Sequence, residues 1–192
     1  MPTQTPKDAI ALLKADHDEA EALFEQFEAT ESKAKKWAIA QKVCTALVVH
    51  TAIEEEIFYP AFRGKIEDDL LDEAYVEHDG AKVLIAEILQ NGPDAEFFEA
   101  KVKVLGEEIE HHVKEEERPA EGMFAQARAT GADMVAIGEA MAARKAELMA
   151  QYEREGVPPP ETRSFQGAEV ARGEEIDDPA VPPGTDLGDA RA

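Results

Sequence analysis

Two short stretches decide the fold: His50-Thr51-Ala52-Ile53-Glu54 and His112-Val113-Lys114-Glu115-Glu116. In each, a glutamate follows a histidine by four residues. On a helix those positions share one face, one turn apart. An imidazole and a carboxylate stacked in this way can close on one metal ion or on a pair of them. The periodicity around them supports helices. Val43, Leu47, His50 and Glu54 recur at helical spacing, as do Phe98, Val102, Leu105, Ile109, His112 and Glu116.

Working outward, two further stripes carry one histidine each. Ile10, Leu13, His17, Phe24 and Phe27 form the first; Leu71, Tyr75, His78, Ile85 and Ile88 form the other. The four stripes predict four helices. The first starts at a Thr5 cap with Pro6 in its first turn, and the second runs from about Ser32 to Tyr59, where Pro60 ends or kinks it. The third runs from about Glu67 to Gln90 and stops at Asn91-Gly92. The fourth begins after Pro93-Asp94 and is interrupted at Pro119 and Gly122, with a short helical piece over Met123 to Ala129. Gly80, inside the third helix, is read either as a close approach of a neighbour or as a tolerated glycine.

The fold class is therefore all-α: an up-down-up-down four-helix bundle over residues 5–130, with an additional C-terminal helix over 131–156 and an acidic, Pro/Gly-rich, disordered or extended tail over 157–192. Met134, Ile137, Met141, Leu148 and Tyr152 give the additional helix a narrow seam. That seam either caps the bundle or pairs two copies as a homodimer.

Depth along the bundle brings the histidines together. His17, His50, His78 and His112 each lie about 9 to 11 residues from the same end, so at 1.5 Å per residue all four sit about 15 Å in. The spacing also echoes: His17 and His50 are 33 residues apart, and His78 and His112 are 34 apart. Each hairpin supplies one histidine and one His-x-x-x-Glu unit, as in a duplicated hairpin. Burying Glu54 and Glu116 without partners would be costly, and a pair of divalent cations answers that cost. The predicted metal ligands are His17, His50, Glu54, His78, His112 and Glu116. His111 lies about 100° round its helix from the stripe and is read as exposed, beside Glu115.

Composition narrows the function classes. The net charge of −22 argues against nucleic acid and against anionic membrane surfaces. No apolar run approaches the length of a membrane span, no signal peptide is visible, and one cysteine, Cys44, rules out an intrachain disulfide; the expected compartment is cytoplasmic. Cys44 reads as a small core residue. No Ser-His-Asp arrangement, phosphate loop or Cys-x-x-Cys motif appears.

As a set, Leu-Lys-Ala-Asp-His17-Asp-Glu, His50-Thr-Ala-Ile-Glu54-Glu-Glu-Ile-Phe-Tyr-Pro60, Glu-His78-Asp and His111-His112-Val-Lys-Glu-Glu116-Glu resemble the hemerythrin family, in particular bacterial hemerythrin-like HHE cation-binding proteins. The resemblance implies a carboxylate-bridged di-iron centre, with manganese or zinc as substitutes. It makes Glu54 and Glu116 the bridges and the four histidines terminal ligands. Two six-coordinate ions offer about twelve positions, of which these residues fill about eight. The remainder imply a small ligand: dioxygen, nitric oxide or peroxide. The implied function is binding or sensing of oxygen, nitric oxide, iron or redox state; the alternative is an enzyme that decomposes peroxide or another small oxidant. One departure stands out. Oxygen-carrying members have a second histidine four residues after the one on the third helix, and here that position is Lys82. Glu21, four residues after His17, is the candidate replacement, or else an ordinary surface acid.

Overall fold

The structure is a computed structural model that describes residues 8–167. All its regular elements are helices: α1 (Ala9–Glu28), α2 (Lys33–Ile53), a π-helical turn (Glu54–Phe58), α3 (Tyr59–Phe62), α4 (Asp68–Asn91), α5 (Phe98–Glu116), α6 (Met123–Ala129) and α7 (Met134–Glu155). α1 packs mainly on α2 and α4 mainly on α5, and α2 with α4 and α1 with α5 close the four-helix bundle.

Several helix ends follow from local chemistry. Thr5 and Pro6 lie outside the described residues, and α1 begins later than expected, at Ala9. The Asp8 side chain accepts a hydrogen bond from the Ala11 N–H at 2.8 Å, which caps the helix. α4 ends where Gly92 adopts a φ of 73°. Pro60 does not end its helix, which continues to Phe62. The chain widens into a π turn just before it, in which the Tyr59 N–H bonds to the Glu54 carbonyl. Pro60 follows just after that turn, in a run that stays helical from Lys33 to Phe62.

The additional helix is spent within the chain. Met134, Met141 and Leu148 are buried, and α7 packs on α1, α2 and the π turn. The seam therefore caps the bundle. Gly138 is where α7 crosses the start of α1: a Cβ there would stand 2.6 Å from the Ala9 nitrogen. Gly80 makes no comparable approach, since nothing lies within 4 Å of its Cβ position. Residues 157–167 have no regular structure, and Arg163 and Ser164 are hydrogen-bonded back onto the bundle. The rest of the tail lies outside the described residues.

Two apolar clusters fill the interior. One gathers Leu13, Ile53, Phe58, Phe62, Leu71 and Phe124 with the buried face of α7. The other gathers Phe27, Val43, Leu47, Ile85, Val102 and Leu105. The interior also holds a layer of buried histidines and carboxylates.

Candidate metal centre

Four helices deliver one imidazole each to this layer: His17 from α1, His50 from α2, His78 from α4 and His112 from α5, all at most 7% exposed. Their Nε2 atoms turn inward in two pairs. His17 and His50 approach to 3.3 Å, as do His78 and His112. The two glutamates span the pairs. Glu54 Oε2 lies 3.1 Å from His50 Nε2 and 3.4 Å from His78 Nε2. Glu116 Oε2 lies 3.4 Å from His17 Nε2 and 3.6 Å from His112 Nε2. All six residues named from the sequence are thus brought together.

Around them runs a second ring that the sequence reading did not assign. Asp16 of α1 faces His50 Nδ1 at 3.5 Å, long for a hydrogen bond. Glu55 of the π turn meets His78 Nδ1 at 3.1 Å, Glu77 of α4 meets His112 Nδ1 at 2.8 Å, and Glu117 after α5 meets His17 Nδ1 at 2.9 Å. Each element's acid therefore serves the histidine of the next element, and the circuit closes on α1. A carboxylate opposite Nδ1 holds the proton there, fixes the ring and leaves the Nε2 lone pair facing inward, the usual support for a metal-binding histidine. The signal was in the sequence: an acid immediately precedes His17 and His78, and another immediately follows Glu54 and Glu116.

Tyr59 was also missed. Its hydroxyl lies 3.3 Å from Glu54, 3.3 Å from Glu116 and 3.2 Å from His78 Nε2, wholly buried. An α-helix would carry a residue five positions after Glu54 well round from it. The π turn puts an i→i+5 hydrogen bond between them and returns Tyr59 to the site. Burial, then the Glu54 and Glu116 charges, push the phenol well above its ordinary pKa, so it stays a neutral donor. In the other histidine pair, Phe124 stacks on His17 where Tyr59 stacks on His78, so the two halves differ chemically.

The charge pattern fits a cation. Glu54 Oε1 and Glu116 Oε2 are buried with no hydrogen-bond partner among the described residues. Burial alone would lower His50, but Glu54 and Asp16 outweigh it and push the imidazole up to about 10. The same balance, burial opposed by His50 and His78, holds Glu54 well below the carboxylate range. Nitrogen and oxygen donors in this number suit iron, manganese or zinc. A metal ion bound here would supply Lewis acidity and, for iron, one-electron redox capacity.

The remaining candidates fall outside. Glu21 is exposed, in the wall of a crevice that reaches His17, and lies outside the clusters of close ligand atoms. Lys82 is buried, with its ammonium 2.6 Å from Glu55 and 3.2 Å from Asp79. His111 is exposed and stands 3.7 Å from both Glu77 and Glu115. Cys44 is fully buried, and burial pushes its thiol up to about 12.

Two cavities adjoin the site. A small one of about 20 Å³ touches His17, His50 and His112 and is walled by Ala20, Leu47 and Ile109. The second is the crevice between α1 and α5, about 800 Å³, with His17 at one point of its wall and Phe24, Phe27 and Val102 among its apolar lining.

The fold and site define a helical-bundle protein built to bind metal cations. The hemerythrin HHE cation binding domain matches residues 8–127, and the chain belongs to that family. A crystal structure of a hemerythrin HHE cation binding domain-containing protein from Mycobacterium kansasii superposes with a TM-score of 0.63 at 23% identity, covering 78% of this chain and 94% of that one. A protein from Nostoc sp. named DNA nickase is 26% identical over 106 residues, which is 55% of this chain. The match covers 30% of that relative's length, and the nicking activity in its name belongs to that protein.

Proposed function

We propose that the protein holds two iron ions and uses them to bind or sense a small oxidant or diatomic molecule. One ion is held by His17 and His50, the other by His78 and His112, with Glu54 and Glu116 bridging them. The observation that carries this is the double ring: four inward Nε2 atoms, each histidine backed by its own carboxylate, around two carboxylates with orphaned oxygens. The ligand class rests on the small cavity. Its volume of about 20 Å³ suits one water or a small molecule such as dioxygen, nitric oxide or peroxide. Lys82 in place of a fifth histidine favours sensing or reaction with an oxidant over reversible oxygen carriage.

Metal analysis of purified protein tests the reading. About two irons per chain are expected, with His112→Ala losing iron and His111→Ala keeping it. A folded protein without metal, or equal loss in the two variants, refutes it. Adding oxygen to the reduced protein then separates the uses: a lasting change in the absorption spectrum marks a binder, and rapid peroxide consumption marks an enzyme.

A further inference from the structure

The acids behind His17 and His78 are clamped to very different degrees, while those behind His50 and His112, Asp16 and Glu77, are 11% and 23% exposed. Behind His17, the acid is Glu117, whose side chain is 27% exposed and whose other partner, Lys14, is itself on the surface. His17 also forms part of the wall of the large crevice between α1 and α5. Behind His78, the acid is Glu55, whose side chain is 4% exposed. Glu55 is gripped from two sides, by the Lys82 ammonium at 2.6 Å and by Arg163 Nε at 2.8 Å.

Arg163 comes from residues 157–167, beyond the last helix, and its position is set by Asp79. One oxygen of the fully buried Asp79 accepts from the Arg163 N–H at 2.7 Å, the Ser164 N–H at 2.5 Å and the Ser164 hydroxyl at 2.7 Å. The other oxygen meets Lys82 at 3.2 Å. Two carboxylates and two cations thus close a network around the back of His78, with the Arg163 guanidinium 6.0 Å from the Tyr75 ring centroid. No corresponding strap reaches Glu117 among the described residues.

We propose that Arg163 is a positioning residue for one half of the metal centre: the strap it belongs to locks Glu55 and through it His78, so that the ion at His78 and His112 is held tightly while the ion at His17 and His50 exchanges first. The inference rests on the dimetal reading above. A partner behind a ligating histidine sets the ring's orientation and basicity, and losing such a partner typically costs about 10- to 100-fold in metal affinity. A rigid, buried, doubly paired Glu55 opposes ring rotation and ligand departure. A half-open Glu117 held by a flexible lysine opposes them less. The two positions then fill and empty in sequence, with a labile ion beside the crevice and a retained ion beneath the strap.

Release of ferrous iron from the full-length protein to excess chelator, followed anaerobically, tests this. Two phases of equal amplitude are expected. Arg163 is exposed, so Arg163→Gln should leave the fold, read by circular dichroism, and the two-ion stoichiometry unchanged. It should speed the slow phase severalfold and leave the fast one alone, because Glu55 keeps its bond to Lys82. Arg163→Lys should restore most of the slow rate, and Lys14→Ala should speed only the fast phase. Two ions leaving in one phase, or Arg163→Gln changing both phases equally or neither, overturns the strap proposal while leaving the dimetal reading intact. A folded chain that takes up no iron overturns both.

Discussion

Replacing Tyr59 with phenylalanine removes one hydroxyl from the middle of the buried polar layer and leaves the ring's packing in place. The hydroxyl is the only hydrogen-bond partner of Glu116 Oε1 among the described residues, and Glu116 Oε2 already has none. The variant therefore leaves a buried carboxylate with only its longer approaches to His17 and His112, at 3.4 and 3.6 Å. A hydrogen bond to a charged group contributes about 1.5–3 kcal/mol. For a chain of 192 residues each kcal/mol moves the melting temperature about 2–4 °C, so the metal-free variant should melt about 3–12 °C below the parent. Thermal unfolding of chelator-treated protein by circular dichroism reads this directly. Tyr75→Phe is the control: its half-buried ring meets Tyr59, Arg63 and Arg163 outside the polar layer, and its melting temperature should barely move. A Tyr59→Phe variant that melts within about 1 °C of the parent refutes the placement of the hydroxyl between the two carboxylates.

Two further outcomes follow from the buried groups. His50 in the metal-free fold is raised to about 10 from 6.5, so its contribution to stability is full below pH 6.5 and is lost as pH rises through 10. The melting temperature of the metal-free protein should fall from neutral pH toward pH 10, and His50→Gln should flatten that fall; an unchanged slope contradicts the pairing with Glu54 and Asp16. Cys44, with its thiol pushed up to about 12 by burial, should resist iodoacetamide at about pH 8 in the folded protein and react after unfolding in guanidinium. Fast labelling of the native chain would show that α2 is not packed as described.

The amino-acid sequence by itself determined the helices and the inner cluster of four histidines and two glutamates. Stripes of period 3.6 mark which face of each helix enters the core, and equal distances from one end of the bundle bring His17, His50, His78 and His112 to one level. Those arguments need only α-helical geometry, and they hold wherever the chain is α-helical. They fail where it is not. The π turn at Glu54–Phe58 changes the angular step, so Tyr59, which a regular helix would turn away, faces the site instead. Pairing between elements was equally out of reach, because hydrogen bonds such as Glu117 to His17 join residues 100 apart and depend on which helices are neighbours. The seam of α7 showed an apolar face without saying what covers it; docking on α1 through the close approach at Gly138 decided that. Residues 157–167 carried too little apolar surface to predict a fixed place, and Arg163 and Ser164 are tied to the bundle by buried charge on Glu55 and Asp79, a long-range attraction that no local pattern records.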